Sequence, residues 1–196
     1  MIPPSLLLQA YASGWFPMGS NAAGTEGVEW FSPDPRALIP LDDRFHVPQR
    51  LARLLRSGRF SVRIDTAFAD VIRACAERDD TWITAAIERA YCELHRLGFA
   101  HSVEAWRDER LAGGLYGVAL RGAFFGESMF HREADASKVA LCALVERLRT
   151  RGYVLLDTQW VTAHLAQFGA YEVPRRRYLR LLQAALRHDC RFDEQR

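Results

Sequence analysis

The chain has 196 residues, a formal net charge of +2, 49% hydrophobic residues and 26% charged ones. That suffices for one large domain or a main domain with a small annex, and so small a charge does not announce a nucleic-acid binder. Met1 leads into "IPPSLLLQAYASG" without the basic start and apolar run of a secretion signal, and no stretch has the ~18–20 apolar residues of a membrane span.

In chain order, "PSLLLQAYASG" (4–14) has helical spacing and stops at Gly14. Residues 15–41 are rich in Gly and Pro and interleaved with aromatics, which predicts loops with short strands near 28–32 and 36–40. "VPQRLARLLRSG" (47–58) predicts a helix with Pro48 in its first turn. These elements are expected to form a small N-terminal domain over residues 1–60. The main domain, 61–196, opens with the strand "FSVRID" and two helices, 66–78 and 84–98. Three strands follow, 100–107, 110–120 and 123–130, joined by connections short enough for hairpins. A helix over 135–152, the strand "YVLLDTQ" (153–159), a helix over 161–169 and a closing helix over 174–187 complete the pattern. The order is that of an α+β protein whose mixed sheet carries helices on its faces.

Polar residues inside apolar strands are the first candidates for chemistry. In "AFFGESMF", alternation puts Phe125, Glu127 and Met129 on one face, unless a bulge shifts the register. A carboxylate there needs a hydrogen-bonding partner or a cleft. Gly126 points to a bulge or a close backbone approach. Pairing with an arginine, or capping a backbone, is the structural alternative. In "YVLLDTQ", Asp157 and Gln159 end an apolar run on the same side and can address one reacting group together; the alternative is that Asp157 or Thr158 caps the next helix. Trp82 stands just before a helix carrying Tyr91 and His95. Its indole suits stacking on a base and equally suits a place in the core.

Other motifs are missing. The six histidines form no H-x-x-x-H pair, and there is no G-x-S-x-G, Walker loop or G-x-G-x-x-G. No cofactor and no metal is expected. The four cysteines are widely spaced and read as reduced structural thiols. Arginines cluster at Arg50, Arg53, Arg56 and Arg59, and again at Arg175, Arg176, Arg177 and Arg180. They offer either a phosphate-binding path or a solvated face.

The runs "AYASGWFPM", "WFSPDPRALIPL", "TWITAAIERAYCELHRLGFAHSVEAW", "LAGGLYGV", "FFGESMFHREADASKVAL", "LLDTQWVTAHLAQFGA" and "VPRRRYLRLL" resemble the bacterial leucyl/phenylalanyl-tRNA–protein transferases. The resemblance spans about residues 5–182. It implies a small N-terminal domain on an acetyltransferase-like (GNAT-type) catalytic domain. It implies transfer of leucine or phenylalanine, sometimes methionine, from aminoacyl-tRNA to proteins beginning with Arg or Lys, as a cytoplasmic step of the N-degron pathway. It assigns a catalytic pair to Asp157 and Gln159 and an active-site glutamate to Glu127. It places Trp82 and Tyr91 around the terminal adenosine and the cleft, and Leu115, Phe124, Leu144 and Leu156 around the donor side chain. Ser128 joins the substrate-binding set. Where the family often has tryptophan after "FP", holding the adenosine, this chain has Met18. A monomer is expected. Asp157 is expected to accept from the incoming amine, directly or through Gln159, and Glu127 to meet a cation. Two other readings compete. An acetyl-CoA-dependent N-acetyltransferase needs an R-x-x-G-x-G/A loop, whose glycines are missing from "FHREAD". A non-catalytic RNA-binding module would use the arginines and aromatics alone.

Overall fold

The computed structural model describes residues 2–20, 27–78 and 80–193; residues 21–26, within the stretch predicted as loop, lie outside that set. Helix α1 (Pro4–Ala12) buries Leu7 and Tyr11, one turn apart, and ends before Gly14, whose φ of +82° only glycine adopts freely. Strands β1 (Phe16–Ser20) and β2 (Gly27–Phe31) pair antiparallel as a separate two-stranded sheet. β1 is absent from the sequence expectation, because Pro17 and Gly19 break its strand pattern. Gly19 is indispensable there: its N–H donates to the Trp82 carbonyl at 2.9 Å, and a Cβ would lie 2.5 Å from that oxygen.

The other strands and helices follow as β3 (Arg36–Ile39), α2 (Gln49–Arg56), β4 (Ser61–Ile64), α3 (Phe68–Ala76), α4 (Ala85–Arg96), β5 (Ala100–Arg107), β6 (Arg110–Leu120) and β7 (Ala123–His131). After them come α5 (Ala136–Thr150), β8 (Leu155–Gln159), α6 (Ala163–Ala166), β9 (Tyr171–Val173) and α7 (Arg175–Ala185). One seven-stranded sheet has the order β4-β5-β6-β7-β8-β3-β9. Its neighbours are antiparallel except β7 and β8, which are parallel and joined through α5. The mixed α+β sheet matches the expected fold class. β3, expected in the small N-terminal unit, lies inside the main sheet between β8 and β9.

Helices cover both faces. On one, α1, α3, α4 and α7 bury Leu7, Val71, Ile87, Tyr91 and Leu182 against Tyr116 and Phe125 of the sheet. On the other, α5 buries Leu141, Leu144 and Leu148 against Val103, Leu115 and Phe124. In α4 the buried residues Ile87, Ala90, Tyr91 and Leu94 follow helical spacing, and Thr84 caps the helix by accepting from the Ile87 N–H. That spacing turns Tyr91 toward the sheet. Both hairpins occur as expected, with Asp108, Glu109 and Arg121 at positive φ in the tight turns. Among the described residues no helix is long and apolar enough to cross a membrane.

Candidate active site

The cleft arises where two parallel strands part. β7 and β8 pair only from Ala123–Phe125 to Leu155–Asp157. Beyond that each strand contains a bulge. In β7, Gly126 pairs with Gly117 and Ser128 with Tyr116, which leaves Glu127 as the extra residue. In β8, Asp157 opposes Leu38 and Gln159 opposes Ala37, which leaves Thr158 extra. The bulge expected from Gly126 is present, but the close approach falls on its partner. A Cβ on Gly117 would lie 2.2 Å from the Phe125 carbonyl oxygen, whereas one on Gly126 would meet nothing within 3.5 Å. The bulge also reverses the alternation, so Met129 packs on the α5 face with Leu115 and Phe130 on the opposite one. A cavity of about 460 Å³ fills the gap between the strands.

Glu127 lines this cavity. Tyr11 Oη donates to its Oε1 at 2.7 Å and Tyr91 Oη to its Oε2 at 3.1 Å, and the two hydroxyls also bond one another. Part of Glu127 opens to the cleft and protein encloses the rest. This burial outweighs the two tyrosine bonds and pushes the carboxyl up to about 7. Neither structural alternative describes it, since among the described residues no arginine and no backbone N–H bonds its carboxyl. Glu104 makes the contrast. That buried carboxylate accepts from the N–H groups of Thr66 and Ala67, from Ser102 Oγ and from Trp106 Nε1, so it is saturated at the start of α3.

The raised value has a consequence for stability. Folded protein keeps a proton on Glu127 that the unfolded chain releases above about pH 4.5, the ordinary value. The linked stability is present in full below pH 4.5 and is lost as pH rises to about 7. The stability gap between wild type and Glu127→Gln should therefore change by up to about 3 kcal/mol across that window, less whatever cleft water screens. Urea unfolding at a series of pH values reads it. A gap independent of pH would contradict the assignment.

Asp157 lies beneath the cleft, fully enclosed. Arg36 grips it with two nitrogens, Nε at 2.9 Å from Oδ1 and Nη2 at 2.7 Å from Oδ2. Tyr178 Oη donates to Oδ2 at 2.7 Å, and the Gln159 N–H donates to Oδ1 at 2.9 Å. Direct contact between Asp157 and an incoming amine therefore falls away as an expectation, because every open side is occupied. The route through Gln159 remains. Asp157 does not cap α6 either; Thr162 does, accepting from the Leu165 N–H. Gln159 is held at φ +61°, a left-handed conformation that costs a non-glycine residue about 1 kcal/mol or more. The Asp157 bond to its N–H helps hold it there, with its side chain lining the cleft.

The cleft lining combines an apolar patch with polar groups. Leu115, Leu144 and Leu156, all expected around a donor side chain, form that patch with Leu141 and Leu165, all from the core on the α5 face. Phe124, expected with them, sits one layer behind, stacked on Phe192 at 5.3 Å. Tyr91 likewise stays behind Glu127 without reaching the cavity. Trp82, Met18 and Ser128 line it. Four buried side-chain polar atoms have no hydrogen-bonding partner among the described residues: Tyr116 Oη, Thr158 Oγ1, Gln159 Nε2 and His164 Nε2. All four belong to residues lining this cavity. Buried polar groups are nearly always paired, so four orphans around one cavity give it a polar lining that water or a polar ligand would pair with. Sequence reasoning missed Tyr11, Arg36, Tyr116, Thr158, His164 and Tyr178. Only Arg36, a charge opening the apolar run "RALI", carried a signal of the kind that exposed Glu127. Arg53, Arg56, Arg176, Arg177 and Arg180 have no acidic side-chain partner among the described residues, whereas Arg59 pairs with Glu133 at 3.0 Å.

An apolar slot, an unpartnered amide and a carboxyl poised near neutrality, set where parallel strands separate, are parts that a group-transfer enzyme needs. The sequence profile of the leucyl/phenylalanyl-tRNA protein transferases matches residues 38–183, and the profile of that family's N-terminal domain matches residues 1–34. The leucyl/phenylalanyl-tRNA–protein transferase of Akkermansia muciniphila is 56% identical over 188 residues, covering 94% of this chain and 96% of its own. That of Herpetosiphon aurantiacus is 53% identical over 191 residues, covering 97% and 98%. The C-terminal domain (DUF2156) of a putative lysylphosphatidylglycerol synthetase from Agrobacterium fabrum aligns over 87% of this chain and 63% of its own, at 14% identity and a TM-score of 0.48. The chain belongs to the leucyl/phenylalanyl-tRNA–protein transferase family and is a transferase.

Proposed function

We propose that this enzyme takes leucine or phenylalanine, and methionine as a further donor, from aminoacyl-tRNA and joins it to the α-amine of proteins beginning with Arg or Lys. It acts as a cytoplasmic monomer and feeds its products to the N-degron pathway. The observation that carries this reading is the free Gln159 amide beside the slot of Leu115, Leu144 and Leu156.

An aminoacyl ester is already activated, so the task is aminolysis. A protein α-amine has a pKa near 7.7–8, and roughly a tenth to a fifth of it is neutral at pH 7. What matters is near-attack geometry. The slot holds the donor side chain. Gln159 Nε2–H donates toward the ester carbonyl oxygen as negative charge grows there, and the amide oxygen accepts from the attacking amine. Asp157 acts through Gln159, as a positioning residue. The new N–C bond forms, the ester C–O bond breaks, and the amine's surplus proton goes to the ribose hydroxyl that leaves. Glu127 meets a cation, either the donor's α-ammonium or the acceptor's Arg or Lys side chain, which draws its carboxyl toward the anion. Trp82 and Met18 flank the terminal adenosine. The unpaired arginines of α2 and α7 hold tRNA phosphates.

Purified protein mixed with labelled leucyl-tRNA and an Arg-starting protein should label that protein's N-terminus. Binding of the tRNA without label transfer would instead favour an RNA-binding module. Glu127→Gln should lower activity; a selective rise in the acceptor KM would assign the cation to the acceptor, and a selective rise in the leucyl-tRNA KM would assign it to the donor.

A further inference from the structure

Seven large hydrophobic residues are exposed among the described residues, and of these Trp160, 44% exposed, alone lines the cleft. Its position is fixed from two sides. Its backbone N–H donates to the Thr158 carbonyl at 2.7 Å, and its ring stands nearly perpendicular to Phe16 with centroids 5.3 Å apart. Phe16 and Met18 both line the cavity from β1, and Gly19 of that strand bonds the Trp82 carbonyl. One wall of the cleft therefore runs Trp160, Phe16, Met18, Trp82, with Gln159 at the Trp160 end.

We propose that Trp160 is the ledge for the second residue of the acceptor polypeptide, and that it biases transfer toward acceptors whose second side chain is apolar or aromatic. This rests on the reading above, in which a polypeptide's α-amine is handled at Gln159. An extended chain advances about 3.3 Å per residue, so with the α-amine at Gln159 the next residues pass over its neighbour. A terminal base seated at the Trp82 end leaves Trp160 open. Contact with an apolar or aromatic side chain there covers indole surface that otherwise stays in water.

The test uses leucyl-tRNA and a set of peptides starting Arg-Phe, Arg-Leu, Arg-Gly and Arg-Asp. Wild type should favour Arg-Phe over Arg-Gly by about three- to tenfold in kcat/KM. Trp160→Ala should level the series by raising the Arg-Phe KM, and Trp160→Phe should keep most of the preference. The KM for leucyl-tRNA should stay within about twofold in both. Equal use of all four peptides by wild type overturns the inference alone. A raised leucyl-tRNA KM in Trp160→Ala with the peptide preference intact assigns the ring to the donor's base and also overturns it. No transfer to any Arg-starting peptide overturns the acceptor reading, and this inference with it.

Discussion

Replacing Asp157 with asparagine is expected to destabilise the fold by about 3–5 kcal/mol and to cut turnover by roughly 10²-fold. The first effect follows from Arg36, which is fully buried and would lose the carboxylate that neutralises it. The second follows at the end of β8, where the stranded Arg36 displaces the residue at 157 that holds the N–H of Gln159. Affinity for aminoacyl-tRNA should change little, because Asp157 does not face the cleft. Turnover is best measured at low temperature, on protein shown to be folded by circular dichroism. Adding Arg36→Met removes the stranded cation. The double variant should recover most of the stability. It should also regain at least tenfold of turnover, since the asparagine carbonyl can still accept from Gln159. Recovery of stability with no recovery of turnover would mean that the Asp157 charge itself takes part in the reaction, contrary to a positioning role.

Leu115→Trp should abolish use of leucyl-tRNA to below about a hundredth of wild-type kcat/KM. Leu115 stands opposite Met129 in the β6–β7 pairing and belongs to the apolar patch of the cavity lining, so an indole there occupies the space proposed for the donor side chain. Discrimination per methylene is worth ~1–3 kcal/mol, and exclusion of a whole isobutyl group exceeds it. Overpacking costs about 1–3 kcal/mol of stability, a smaller fraction of the effect. Leu115→Met, close in volume, serves as the control and should stay within about tenfold of wild type. Unchanged use of leucyl-tRNA by Leu115→Trp would place the donor side chain elsewhere.

Legibility from sequence depended on how local each feature was. Glu127 and Gln159 stood out because each interrupts an apolar strand within a few residues, and a polar group in such a place always demands an explanation. The helices and the three-strand meander were readable from their spacing and short turns. Gly126 announced the bulge beside it. The bulge at Thr158 was hidden, because it is defined by the register of β8 against β3, a strand more than a hundred residues earlier. The same distance concealed the Arg36–Asp157 pair, separated by 121 positions, and the Tyr11–Glu127 bond, separated by 116. Tyr11 and Tyr91 follow the apolar stripes of their helices, so nothing in the pattern tells a core tyrosine from one that turns its hydroxyl to a carboxylate. β9 has only three residues and is a strand only because β3 lies beside it. The assignment of Phe124 to the cleft wall failed for a related reason. It precedes the bulge, and its place is taken up by packing against Phe192 from the far end of the chain.

The most direct test is a crystal structure with a leucyl-adenosine in which an amide replaces the ester. The isobutyl group should lie among Leu115, Leu144 and Leu156, with the amide carbonyl oxygen within hydrogen-bonding distance of Gln159 Nε2. A leucyl group bound at the rim near Trp160, with Gln159 unpartnered, would contradict the account.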